Sequence, residues 1–290
     1  MIARIEDYYD FSPSPFIRPG DIFQNLPTFG NLPVEHCPGI VVTPACDLEN
    51  CKVQTITYLP ILEINRYHLT RDAFRRIQKD VSNILRKTGL SNEDIQWERT
   101  SSAIQQIDGW RRSLAKDSAH LPEGVFDRCN RLLDYATAVF LSDDDFECAA
   151  VQKDISGEKA FSSNMTKLRD NSLANDTFFL PSSKVFLDTN AVTKNSLVMF
   201  RYPLTLPLEI IEMAGDIGIS TWDEGVIEGI LPKEQCLILG KKRPIKTQRL
   251  NFRYFSDLLS RYLSLYLRFG VPNLNELSKT SVLTEMLEGR

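Results

Sequence analysis

Residues 38–60 have the hydrophobic pattern of two buried strands around a polar turn, and the rest of the chain is interpreted around them. The β-branched run at residues 40–43 is closed by Pro44, which is typical of a strand covered on both faces. Residues 52–61 are rich in Val, Thr, Ile and Tyr and also favour a strand. Between the two strands, residues 46–51 place carboxylates and thiols on a loop at the strand ends, where functional groups often gather.

From residue 70 the hydrophobic period changes to that of a helix. Apolar residues at helical spacing predict a first helix over residues 70–89 and two more that begin near Ser91 and Pro122. Residues 69–141 are therefore expected to form a helical insertion. The polar stretch that follows, up to Asn175, is expected to be a surface loop with a short strand or helix at most.

Strand character returns after the insertion. Short runs rich in β-formers predict strands at residues 176–181, 184–188, 196–202 and 235–240. Residues 204–214 remain open between strand and helix, because Pro203 and Pro207 weaken either assignment. A long aromatic and aliphatic period over residues 247–269 predicts a C-terminal helix that ends at Gly270.

The order of these elements predicts an α+β fold with antiparallel strands, a helical insertion and a C-terminal helix. The predicted divisions are 1–68 for the first strands, 69–141 for the insertion, 142–246 for the remaining strands and loops, and 247–290 for the C-terminal helix and tail. A chain of 290 residues with 42% hydrophobic residues can bury a substantial core.

Composition indicates where in the cell the protein is expected and which kinds of partner it can attract. No apolar run approaches the roughly 18 residues of a membrane span, and the first residues lack the basic start and apolar centre of a secretion signal. Six scattered cysteines are expected to be reduced thiols, so we expect a cytoplasmic protein without membrane contact. The net charge of −4 gives no overall attraction to nucleic acid, so such a contact has to come from a local patch.

Three short segments follow one another near the N-terminus: Arg18-Pro-Gly-Asp-Ile-Phe, Pro38-Gly-Ile-Val-Val-Thr and Ile56-Thr-Tyr-Leu-Pro-Ile. They resemble the opening strands of the PemK/MazF-like toxin family. The resemblance implies an SH3-like antiparallel β-barrel, which the helical insertion interrupts here. Members of this family are often RNA endonucleases of toxin–antitoxin modules.

The chain departs from the family at two positions that matter for catalysis. Cys37 stands where the family has an arginine before the proline of the second strand, and Leu62 follows Pro60-Ile61 where the family places a threonine or serine. RNA cleavage without a metal needs a general base, a general acid and a cation for the phosphorane charge, and neither residue supplies these. The resemblance therefore carries the barrel but not the catalytic residues.

Two functions remain as hypotheses. The first is a non-catalytic partner-binding or regulatory protein of a bacterial toxin–antitoxin or phage-defence setting, with a protein partner expected. The second is a sequence-specific endoribonuclease toxin with relocated catalytic groups, for which the candidates are Arg18, Thr43, Asp47 and Arg201. No cofactor is expected, since the sequence has no Gly-rich phosphate loop, Rossmann fingerprint, nucleophile elbow or kinase motif.

A basic cluster precedes the predicted C-terminal helix. Its members are Lys241, Lys242, Arg243, Lys246 and Arg249. These side chains can contact the phosphates of a nucleic acid, or they can belong to a solvated loop and to ordinary salt bridges. The first four are expected to be exposed in either case.

Metal binding is the weaker interpretation of the residues around the central turn. The set His36, Cys37, Cys46 and Cys51 could form a zinc site, but its spacing differs from the ligand pairs of structural zinc sites, so free thiols and no metal are favoured. Asp47 and Glu49 could hold a cation or be solvated turn residues. We expect the Asp47 carboxylate to accept a backbone N–H at the strand end.

Overall fold

The protein has an α+β fold, as the sequence predicts. The computed structural model describes residues 8–10, 16–50, 52–89, 103–117, 121, 124–141, 146–183, 192–215 and 221–267. The strands of these residues are β1 (Tyr9–Asp10), β2 (Asp21–Pro27), β3 (His36–Val41), β4 (Thr55–Glu63), β5 (Thr177–Leu180), β6 (Ser196–Met199), β7 (Leu204–Pro207) and β8 (Ile245–Leu250). The helices are α1 (Ala45–Glu49), α2 (Ile64–Tyr67), α3 (Arg71–Arg86), α4 (Ala103–Asp117), α5 (Val125–Leu141), α6 (Cys148–Ser156), α7 (Glu158–Arg169), α8 (Leu208–Gly215), α9 (Lys233–Leu239) and α10 (Phe252–Leu267).

The strands form one antiparallel sheet in the order β1-β8-β2-β3-β4-β6-β5, and β7 also pairs with β4. The register places Ile22 opposite Ile40 and Ile40 opposite Leu59, so the hydrophobic runs identified in the sequence lie side by side at its centre. In the part of the chain that the structure describes, the sheet stays open and does not close into a barrel.

Strands β6 and β7 both run along β4 and are separated by a bulge. Ile61 of β4 pairs with Val198 of β6. Tyr58 lies three residues before Ile61 and pairs with Leu204 of β7, which lies six residues after Val198. Residues 200–203 therefore leave the ladder and form a turn. Bulges of this kind redirect side chains away from the sheet, and this one carries Arg201 at the surface.

Both faces of the sheet are buried. On one face, Leu59 and Ile61 pack in a cluster with Leu258 of α10, and on the other face Tyr58 packs in a cluster with Ile210 of α8. This double coverage explains why the central strands read as nearly continuous apolar runs rather than as strict alternation.

The helices between β4 and β5 form a core of their own. It includes Phe74, Leu85, Trp110 and Leu133, from α3, α4 and α5. The chain leaves the sheet at Glu63 and returns to it with β5, after which Ser196 of β6 pairs with Glu63. The whole helical segment is thus inserted between two neighbouring strands.

Several local predictions are wrong. The stretch expected to be loop after residue 141 contains α6 and α7, and the strand expected at residues 235–240 is α9. In α9 the buried residues are Cys236 and Leu239, a spacing of three that suits a helix as well as a short apolar run suits a strand. The predicted C-terminal helix is preceded by β8, so it begins at Phe252 instead of residue 247.

Other predictions lie outside the described residues, namely the strand at 184–188 and the start of the second helix near Ser91. None of the helices in the described ranges combines the length and the apolar character that crossing a membrane requires.

Candidate functional site

Thr43 and Asp47, two of the catalytic candidates, take part in local backbone structure. The Thr43 hydroxyl oxygen accepts the Thr57 N–H (2.6 Å) and so joins the end of β3 to β4. Asp47 lies in α1, where its carbonyl accepts the Lys52 N–H (2.9 Å) and its carboxylate accepts the Cys46 thiol (3.5 Å). In the described residues the carboxylate of Asp47 accepts the Cys46 thiol and no backbone N–H, so its expected bond at the strand end stays a prediction.

Arg18, the third candidate, lies at the entrance to β2 beside a buried carboxylate. Its backbone N–H donates to Asp21 (2.8 Å), while its side chain is exposed. The Asp21 side chain is fully buried and is held by Lys246 Nζ (2.6 Å) and Arg249 Nε (2.6 Å). Two members of the basic cluster therefore neutralise a buried carboxylate of the same chain.

The rest of the basic cluster is divided between internal contacts and solvent. Arg243 Nε donates to the Ala214 carbonyl (2.7 Å), and Lys241 pairs with Glu35 (2.6 Å). Lys242 is exposed. The expected exposure is therefore wrong for Arg243 and Lys246, whose side chains are partly buried, and the nucleic-acid contact stays a prediction.

The candidate zinc ligands do not form a common site in the described residues. The His36 ring bonds the Ile238 carbonyl (2.9 Å), Cys37 is buried in the core, and Cys46 is exposed. Burial raises the pKa of the Cys37 thiol to about 12, so it stays protonated and is a poor metal ligand. Cys51 lies outside the described residues, and the described part of the chain has no group of three or more His, Cys, Asp or Glu side chains placed to hold a metal.

Arg201, the fourth candidate, belongs to a group of charged and polar side chains that we call the arginine cluster. Its members are Asp72, Arg75, Arg76, Asp176, Arg201 and Tyr202. They come from α3, from the residue before β5 and from the bulge between β6 and β7. The bulge thus brings the sheet into polar contact with the helical insertion.

Two carboxylates form the base of the arginine cluster. Asp176 is held by Arg76 (2.9 Å) and by Arg201 Nε (2.7 Å). Asp72 accepts the Tyr202 hydroxyl (2.8 Å) and lies 3.6 Å from Arg75. The hydrogen bond from Arg201 to Asp176 raises the pKa of Arg201, so its charge is fixed at all relevant pH values.

The cluster presents its cations outward. The side chains of Asp72 and Asp176 are 14% and 12% exposed, whereas those of Arg75 and Arg201 are 62% and 53% exposed. The surface of the cluster is therefore positive although each arginine has an internal partner.

A cavity of about 40 Å³ adjoins the arginine cluster on its inner side. We call it the His68 cavity. Among the residues that line it are Tyr67, His68, Ala73, Arg76, Phe161 and Met165. Arg76 belongs to both sites, so the cavity and the cluster adjoin at this residue.

His68 is placed by the tight connection between α2 and α3. Thr70 caps α3 by accepting the Ala73 N–H (3.2 Å), and its hydroxyl donates to the Tyr67 carbonyl (2.7 Å). The His68 carbonyl accepts the Tyr135 hydroxyl (2.7 Å) of α5. These hydrogen bonds therefore hold the backbone at His68 and on either side of it in the sequence.

His68 is 3% exposed, and neither of its ring nitrogens has a hydrogen-bond partner in the described residues. Burial lowers the pKa of His68 to about 4, so the ring is neutral at pH 7. The Tyr67 hydroxyl is also buried and lies beside the Arg76 guanidinium without a hydrogen bond of normal geometry. The two ring nitrogens of His68 are thus polar atoms at the cavity without a partner in the described chain.

Sequence reasoning identified Arg201 but missed its partners and the cavity. Arg76 and Asp176 are 100 residues apart, and no local pattern joins them. His68 is a single histidine before a helix, which carries no motif. No family model, curated protein or solved structure matches the chain, so the site is interpreted from its own geometry.

Proposed function

We propose that the protein is a non-catalytic partner-binding or regulatory protein. One observation carries this proposal: no hydrogen bond or ion pair joins any two of the four catalytic candidates, all of which lie in the described residues. RNA cleavage without a metal needs a base, an acid and a cation that converge on one phosphate. The endoribonuclease alternative lacks that support.

The arginine cluster is the proposed contact surface. Arg75 and Arg201 project from it, while the carboxylates that balance them lie beneath. A positive surface of this kind steers a negatively charged partner and fixes its orientation more than it adds raw affinity. We propose a protein partner with an acidic patch.

The setting and the ancestry of the fold belong to the same proposal. The resemblance over residues 18–61 supports a toxin–antitoxin or phage-defence context and a sheet derived from an SH3-like barrel. The antiparallel succession β2-β3-β4 and the irregular register between Phe23 and Leu26, which bends β2, fit such a barrel strand. A cytoplasmic location is supported by the free thiols of Cys37, Cys46, Cys129, Cys148 and Cys236.

Expression of the chain alone in a bacterial host distinguishes the two functions. We expect normal growth and intact RNA, measured by growth curves and by electrophoresis of total RNA. Arg201→Ala is the matched variant. Growth arrest by the wild type that Arg201→Ala relieves would refute the binding proposal and favour the ribonuclease.

The contact surface is tested by charge reversal. The tagged full-length protein is used to capture its partner from its native host. The Arg75→Glu/Arg201→Glu variant is expected to lose that partner, while Lys242→Glu, which changes an exposed cation elsewhere, is expected to retain it. Equal capture by both variants would remove the arginine cluster from the proposal.

A further inference from the structure

The His68 cavity contains a hydrogen-bonding group that the described chain leaves unused. A neutral imidazole offers one N–H donor and one lone pair, and in His68 both atoms are buried without a partner. Buried polar groups are nearly always hydrogen-bonded, and each one left unsatisfied costs about 1 to 3 kcal/mol. One ring nitrogen therefore calls for an acceptor and the other for a donor.

The size of the cavity limits that partner. A volume of about 40 Å³ holds roughly three water molecules, so it admits a group of about three or four non-hydrogen atoms. Phe161, Met165 and Leu168 supply apolar wall on the side of α7. The occupant is therefore a small group with one polar end and one apolar end.

The charge of the cavity decides between an anion and a neutral occupant. Burial alone lowers the pKa of His68, and in the described residues no ionised side chain offsets that effect. Arg76, at the edge of the cavity, already donates to Asp176. A carboxylate would be a buried charge without a dedicated counter-ion, and that is costly.

We propose that the His68 cavity binds a small neutral ligand with a hydrogen-bond donor and an acceptor on neighbouring atoms, as in a primary amide. The NH₂ group of such a ligand donates to the lone pair of one imidazole nitrogen, and its carbonyl accepts the Tyr67 hydroxyl, since both side chains line the cavity. This site goes beyond the proposed partner surface and does not depend on it.

The test uses nuclear magnetic resonance of the full chain with labelled histidine and with acetamide as the probe. The chain has three histidines, His36, His68 and His120, so the ring signals are few and separable. We expect a saturable shift of the His68 signals with a dissociation constant of about 1 to 10 mM, as befits a ligand of four heavy atoms. The His36 signals should not follow that curve.

Ala73→Met and Tyr67→Phe change the cavity wall and keep the His68 ring as the reporter. Ala73→Met fills the cavity from α3 and should abolish the shift, while Ala150→Met, on the exposed side of α6, is the control. Tyr67→Phe should weaken binding about fivefold, the worth of one hydrogen bond of about 1 kcal/mol. Circular dichroism and thermal melting confirm that each variant is folded.

Three outcomes would overturn the proposal. A saturable response to acetate in place of acetamide, with a rise in the pKa of His68, would make the cavity an anion site. A linear response to acetamide would show that the cavity holds water alone. Unchanged acetamide binding by Ala73→Met would place the ligand elsewhere.

Discussion

Replacing His68 by Gln should remove part of the acid sensitivity of the protein. The folded-state pKa of His68 is about 4, against 6.5 for an unperturbed histidine, and burial is the cause. Between these two values the unfolded chain binds a proton that the folded chain excludes. The contribution of neutral His68 to stability is therefore complete above pH 6.5 and is lost as the pH falls toward 4.

The size of the effect follows from the shift. A difference of about 2.5 pKa units corresponds to about 3 kcal/mol when the transition is complete, and to about 2 kcal/mol at pH 5. Glutamine has a donor and an acceptor but does not titrate in this range, so the variant keeps the polar character of the position.

Urea unfolding followed by tryptophan fluorescence at pH 7.5 and pH 5.0 measures the effect. Carboxylates titrate equally in both proteins, so the difference between wild type and His68→Gln isolates His68. The control is His36→Gln, because burial also lowers the pKa of His36 but its ring keeps a hydrogen bond to the Ile238 carbonyl. We expect a smaller change for the control. An equal loss of stability on acidification in wild type and His68→Gln would refute the reasoning.

Three further predictions concern the framework. Gly39→Ala would place a methyl group 2.8 Å from two core side chains and should lower the free energy of unfolding by about 1 to 3 kcal/mol in urea titrations. Asp21→Asn removes a buried charge from its two cationic partners and should cost about 3 to 5 kcal/mol, so an unchanged melting temperature would contradict the role given to it. The double variant Lys241→Ser/Lys242→Ser should change the free energy of unfolding by less than about 0.5 kcal/mol in the same assay, since both side chains are exposed.

The parts of the fold that the sequence predicts are those with strong periodicity. Strands β3 and β4 follow from their β-branched runs, and α3 follows from its apolar stripe and from Thr70, which caps it. Helix α7 is not predicted because Leu168 is its one buried residue, so its sequence has almost no apolar stripe. The sequence does not separate strand β8 from the C-terminal helix, because the alternation of β8 is interrupted where it pairs irregularly with β2.

The candidate site is less accessible to sequence reasoning than the fold. Its charges are matched across long sequence separations, as between Asp21 and Arg249 or between Asp176 and Arg76. A lysine or arginine looks the same in a sequence whether it faces solvent or a buried carboxylate. The basic cluster is an example, since Lys246 pairs with the buried Asp21 carboxylate.

The insertion between β4 and β6 also bears on the order of folding. The Ile64 N–H donates to the Asn195 carbonyl (3.1 Å), next to the pairing of β4 with β6. That pairing closes a loop made of the whole intervening chain. Closing a flexible loop of roughly 130 residues costs about 3 kcal/mol more in chain entropy than closing a turn of about four. The helices shorten that loop when they pack, so the pairing of β4 with β6 is expected to form after them. The β2-β3-β4 strands, which are near in sequence, can pair without waiting for the helices.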